Sequence, residues 1–120
     1  MSFMVRLDLD HIHIKVRDLN RTLSFYQALG FHIGKVPSDG GEYVYIGLDK
    51  GSIDPSLSPG RSDSKEITIG VAVDDVEEVY RRAKACEAEI VDEIKDRSWG
   101  VRSFYIRDPD DYMVEFEQEK

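Results

Sequence analysis

Disulfides are the first thing this chain cannot make: its 120 residues hold a single cysteine, Cys86, so no intramolecular bridge can staple the fold. Cys86 falls inside a helical pattern, where a small packed residue is expected, not a nucleophile. Long apolar runs are missing too. Nothing approaches the roughly 20 consecutive apolar residues that span a bilayer, and the N-terminus lacks the charged, apolar and small-residue succession of a signal peptide. A soluble, cytoplasmic protein is expected. Basic residues are the scarcer charge, with 16 Lys and Arg against 24 Asp and Glu for a formal net charge of −8. They form no clustered run, so neither nucleic acid nor an anionic membrane is an expected partner. No Ser-His-Asp or Cys-His arrangement can be argued. The glycine pair at 40 and 41 lies in a turn with no helix after it and so has no mechanism as a phosphate cradle. A chain of this length buries one core, not two independent ones.

Strict alternation is what the chain does have. In "HIHIKVR", residues 11 to 17, Ile12, Ile14 and Val16 point one way and His11, His13, Lys15 and Arg17 the other, the period of a strand with one buried face. Asp18 then reads as a helix N-cap, with Leu19, Leu23 and Tyr26 at helical spacing and Gly30 at the C-terminal stop. "FHIGKV", "YVYIGL" and "SIDPSLS" are three further strands, and Pro55 makes the last an edge strand or an irregular one. Residues 59 to 65, "PGRSDSK", read as a linker.

The same order then repeats. "EITIGVAVDDV" alternates again. Asp75 is a second N-cap, with Glu78 as capping-box partner and Val76, Val79, Tyr80 and Ala83 as the apolar stripe. "EIVDEI", "VRSFYIR" and "YMVEFEQ" follow as strands. An offset of 57 residues, the distance from Asp18 to Asp75, lays the two halves on each other. Each copy can cover one sheet face with its own helix and leaves the other open, and two copies together can enclose a concavity suited to a ligand.

Three stretches, "HIHIKVRDLNRTLSFYQALGF", "VAVDDVEEVYRRAKACEAEIV" and "WGVRSFYIRDPDDYMVEFEQ", together resemble the vicinal oxygen chelate superfamily, which includes glyoxalase I, extradiol dioxygenases, fosfomycin-resistance enzymes and bleomycin-resistance proteins. The resemblance covers nearly the whole chain. It implies an α+β fold of two βαβββ modules forming an open cupped barrel, with module one at about 7–58, the linker at 59–65 and module two at 66–120. It also implies a homodimer. Enzymes of that superfamily hold a divalent metal (Ni, Zn, Mn or Fe) with two side chains from each module. Residue by residue, the first ligand position falls on His11 and the last on Glu115, which would also be the catalytic carboxylate. The second-module counterpart of His11 falls on Thr68, a poor ligand for such a metal. The remaining position lies near Asp54 or Ser56. Asp111 stands where the resembling turns usually have Gly.

His13 and Lys15 share the face of His11. Their two readings are contact with an anionic or carbonyl-rich ligand, and simple exposure to solvent. Arg17, nearer the helix, is expected in solvent. Glu66 is expected to be solvated, with a displaced ligand or general base as its other reading. Trp99 could stack on a flat ligand or plug the barrel end. Tyr105 and Phe104 must face opposite sides of one strand, so one lines the cavity and the other the core. The functional expectation is binding of a small carbonyl-rich, anionic or aromatic molecule, metal-free or weakly metal-dependent, and the alternative is a metal-dependent lyase, isomerase or dioxygenase.

Overall fold

The computed structural model describes residue 5 and residues 9–38, 41–57 and 67–120; the linker at 59–65 and Glu66 lie outside the described residues. Strand β1 (His11–Val16), helix α1 (Leu19–Ala28) and strands β2 (His32–Ser38), β3 (Gly41–Gly47) and β4 (Ser52–Leu57) are followed by β5 (Thr68–Ala72), α2 (Val76–Ala85), β6 (Glu89–Asp96), β7 (Val101–Arg107) and β8 (Met113–Glu119). The order is βαβββ twice, and the repeat offset lays α1 on α2 residue for residue. Each repeat is one mixed four-stranded sheet. The first, sheet A, runs β1-β4-β3-β2, and the second, sheet B, runs β5-β8-β7-β6. In each, the first and last strands of the repeat pair in parallel and the hairpins are antiparallel. The fold is α+β, and its two sheets are cupped without closing into a barrel.

Local chemistry explains the element ends. The Asp18 carboxylate accepts the Arg21 N–H at 3.1 Å and that of Asp75 accepts the Glu78 N–H at 3.1 Å, so both helices start on a capping aspartate. Glu78, expected in a capping box, gives its carboxylate to Arg81 and Arg82. After α1 the chain turns through Gly30 at φ +107°, where an added Cβ would lie 2.2 Å from an Arg82 guanidinium nitrogen. Asp111 takes a left-handed φ of 69° at the position where the resembling turns have Gly. Pro55 needs a correction: β4 lies between β1 and β3, not at an edge. Its pairing with β3 covers only Ile46↔Ile53 and Gly47↔Ser52, however, and so ends before the proline that could not donate to it.

The alternation in β1 is realised, with Ile14 and Val16 buried in the core and His11, His13 and Lys15 exposed on the other face. One apolar cluster joins both repeats, running from Ile14, Tyr26 and Ile53 to Val76, Phe104 and Phe116. The Phe31 ring meets Phe116 across the junction at 6.0 Å.

Polar contacts from the β7–β8 turn lock the two repeats together. Arg17, expected in solvent, donates from its backbone N–H (3.1 Å) and Nε (3.0 Å) to Asp110, and from Nη2 to the Pro109 carbonyl (2.9 Å). The Tyr112 hydroxyl accepts the Lys15 N–H at 3.0 Å and donates to the Lys15 carbonyl at 3.2 Å, which closes part of the free edge of β1. Asp108 is 4 % exposed and fully engaged. One oxygen accepts the backbone N–H of Asp110 (2.8 Å) and of Tyr112 (3.0 Å), and the other accepts the Tyr26 hydroxyl from α1 (2.7 Å). Burial is the leading influence on Asp108 and pushes its carboxyl above the ordinary 3.8, against the pull of these three donors.

Removing the Tyr26 hydroxyl should therefore be felt across the junction. Tyr26→Phe is expected to lower unfolding free energy by about 2 kcal/mol at pH 7, since the bond goes to a buried charge. The Tyr26 bond favours the ionised carboxylate, so the deficit is present above the folded-state Asp108 pKa and shrinks as pH falls through it. Urea unfolding of both proteins at pH 7 and pH 4 measures this, and a deficit that grows on acidification would contradict it.

Candidate functional site

Sheet A presents a face that no helix of its own repeat covers. Alternation puts His11, His13 and Lys15 of β1 on it. The parallel register sets His11 beside Ser52, His13 beside Asp54 and Lys15 beside Ser56. The neighbouring strand β3 adds Tyr43 and Tyr45 by the same alternation. Tyr45 lies flat over Gly34 of β2, where an added Cβ would come within 2.1 Å of its ring, so that glycine is what lets the ring lie against the sheet.

Asp54 is 3 % exposed although it belongs to this face. Burying a carboxylate is costly unless it is hydrogen-bonded, and two hydroxyls meet the need: Ser52 Oγ donates at 2.7 Å, and Tyr43 donates to the other oxygen. The Tyr43 phenol is pushed up to about 12, first by that hydrogen bond to a carboxylate and then by burial. His11 and His13 meet edge to face with ring centres 4.9 Å apart. His11 Nδ1 lies 2.8 Å from the Asp10 carboxylate, and this bond is the main reason the imidazole holds its proton above the ordinary 6.5. Ligand-capable atoms of His11, His13 and Asp54 all lie within 4.8 Å of one another.

Sheet B carries the remaining expected site residues. Glu115 on β8 is opposite Tyr105 on β7. The Tyr105 phenol is raised by burial first and then by its hydrogen bond to Glu115. Glu115 Oε2 is buried with no hydrogen-bond partner among the described residues. Phe104, the neighbour of Tyr105, is fully buried in the core, so Tyr105 is the one on the uncovered face. Arg97 lies over the Tyr105 ring at 5.3 Å, and its side chain is 6 % exposed. It donates to Asp92 (2.9 Å) and to the hydroxyl (2.9 Å) and carbonyl (3.1 Å) of Ser103. Thr68 is exposed at the start of β5, in register with Met113. Trp99 is 61 % exposed between β6 and β7.

The chain therefore brings His11 and His13 together with Asp54, and Glu115 together with Tyr105. Glu115 is outside the group of metal-capable side chains around His11. Sequence reading missed Tyr43, Ser52 and Arg97. Alternation in "SID" could have put Ser52 beside Asp54. Nothing local points to Arg97, whose reach depends on register shifts in β6 between Ile90 and Asp92 and between Asp92 and Lys95.

The paired βαβββ order and the ionisable groups on its uncovered faces are accompanied by a match to one family. The chain matches the Glyoxalase/Bleomycin resistance protein/Dioxygenase superfamily over residues 8–116 and belongs to that family. An uncharacterised protein of Bacillus subtilis, YwbC, is 31% identical over 121 residues, covering 92% of this chain and 96% of its own. Among solved structures, the fosfomycin resistance protein FosX from Listeria monocytogenes superposes with a TM-score of 0.77 at 23% identity, over 97% of this chain and 96% of its own. TioX from Micromonospora sp. ML1 does so with a TM-score of 0.75 at 21% identity, over 94% and 99%. These two likenesses are of fold. No helix among the described residues is long and apolar enough to cross a membrane.

Because the Asp54 carboxylate is the main cause of the high Tyr43 ionisation, Asp54→Asn should bring that phenol down from about 12 toward its ordinary 10. The phenolate absorbance difference between Asp54→Asn and the double variant with Tyr43→Phe isolates the one tyrosine. An ionisation that stays near 12 would contradict the assignment.

Proposed function

We propose that this protein binds a small, planar, anionic or carbonyl-rich molecule against the uncovered face of sheet A, and that it does so as a cytoplasmic homodimer. The observation that carries the reading is the make-up of that face: His11, His13 and Lys15 supply cationic or donor groups, and Tyr43 and Tyr45 supply flat rings beside them. Thr68, Tyr105 and Trp99 belong to the second repeat, and they enter the ligand's surroundings when a second copy places its sheet B opposite sheet A. The open shape of one chain supports this. Its radius of gyration is 15.6 Å, against about 13.6 Å for a compact chain of this length.

Binding is proposed to be metal-free or weakly metal-dependent. The four-ligand set of the superfamily does not fit the residues present, since Thr68 offers only a neutral hydroxyl and Glu115 is outside the group around His11. The second reading is a divalent-metal lyase, isomerase or dioxygenase resembling glyoxalase. It is favoured by the buried, unpartnered Glu115 Oε2, an anionic acceptor suited to a cation or a proton donor.

Thermal shift against a panel of aromatic carboxylates and α-keto acids, in chelator-treated buffer, tests the first reading. A ligand at a hundred times its Kd should stabilise the fold by about 2.7 kcal/mol. Lys15→Ala or Tyr45→Ala should remove most of the shift. Equal shifts in wild type and both variants, or none at millimolar ligand, would reject binding at this face. Metal-dependent turnover of such a compound, abolished by Glu115→Ala, would establish the second reading instead.

A further inference from the structure

We infer that Tyr45 and Gly34 form a flat aromatic shelf at the outer side of sheet A, and that this shelf selects an extended aromatic carboxylate, seated with its ring on Tyr45 and its carboxylate toward Lys15. The inference rests on the ligand face proposed above and deepens it, by naming what the face accepts and which residue sets the preference.

Gly34 stands inside β2, where a glycine weakens a strand because it has no side chain to pack. Its backbone is not left-handed, so conformation does not require a glycine at this position. What requires it is space. Gly34 is the register partner of Tyr45 on β3, and a Cβ there would overlap the phenol ring, closest to Cζ, Cε1 and Oη. The ring therefore lies across β2 in the gap left by the missing side chain, bordered by His32 and Val36 on the same face. The His32 ring is 6.5 Å away at 63°, so it meets Tyr45 by an edge and leaves the outer ring face clear of stacking.

Tyr43, on the same face of β3, leans the opposite way and reaches Asp54 on β4. The two tyrosines are thereby spread apart. Tyr45 is half-buried, with one ring face against the β2 backbone and the other left for a ligand ring. Val36 at 46 % and Tyr43 at 41 % exposure extend the open apolar surface beside it.

Charge and distance define the rest of the ligand. Lys15 is on β1, which β4 separates from β3. Strands lie about 4.8 Å apart, so the two ends of the ligand meet strands about 10 Å apart. A small keto acid is too short to reach both, whereas a bicyclic aromatic carboxylate met by the flexible Lys15 arm reaches both.

Calorimetric titration of the full-length protein with 2-naphthoate and with its saturated, non-planar counterpart decahydro-2-naphthoate tests the inference, with each variant first confirmed as folded by its amide NMR spectrum. The aromatic compound should bind roughly three- to tenfold more tightly. Gly34→Ala, which lifts the ring off the sheet, and Tyr45→Ala should each bring that ratio to about one, while Tyr45→Phe should keep it. Gly34→Ala added to Tyr45→Ala should change nothing further. In the ligand-free protein the Gly34 Hα resonances should lie upfield under the ring and return in Tyr45→Ala, and their staying in place would overturn the shelf. A ratio unchanged in Gly34→Ala, with Lys15→Ala still weakening both compounds, would also overturn the shelf and leave the ligand face standing. No binding of either compound at millimolar concentration would overturn both.

Discussion

The buried carboxylate of Asp108 is the contact on which the arrangement of the two repeats depends. It shapes its own turn through two backbone donors and accepts a third hydrogen bond from Tyr26 in the other repeat. A charge taken out of water at that depth tolerates no missing partner. Turn and helix are therefore fixed relative to each other, and Arg17 and Tyr112 extend the same seam to the end of β1. The shared apolar cluster fills the space behind it.

That seam has a functional consequence. It joins the repeats through their helix and turn sides, which leaves the opposite face of each sheet for other use. Those faces are where the ionisable groups lie: His11, His13 and Asp54 on sheet A, Glu115 and Tyr105 on sheet B. On sheet A the costly group, Asp54, is stabilised by exchangeable hydroxyl donors. On sheet B, Arg97 and Ser103 form a satisfied network beside a carboxylate with an unpartnered oxygen. The first arrangement satisfies its carboxylate and leaves the exposed imidazoles beside it open to a ligand. The second leaves that one oxygen buried without a hydrogen-bond partner among the described residues.

Much of the fold was legible because two independent signals coincide twice. Alternation in "HIHIKV" and "TIGVA" and capping by Asp18 and Asp75 recur at one offset, and each sets a local structure without help from distant residues. The polar face of β1 was legible for the same reason. Pro55 left two readings open, and only one holds: β4 is interior, not an edge, but its pairing with β3 stops short of the proline. The company of Asp54 was hidden because Tyr43 reaches it through strand register. Arg17 was expected in water, and its partner Asp110 lies 93 residues away, a separation at which sequence pattern carries no information on contact. Arg97 depends on irregularities in β6 that its own neighbours do not announce.

The central claim is that the uncovered face of sheet A, at His11 and His13, is where this chain meets its small ligands. The chain has three histidines, and the third, His32, lies on β2 next to Tyr45, outside the group around Asp54. A ¹⁵N imidazole spectrum recorded across a titration with an aromatic carboxylate, in chelator-treated buffer, reads the claim residue by residue. The account predicts that His11 and His13 shift together and saturate at one equivalent. Neither ring moving at saturating ligand would contradict it.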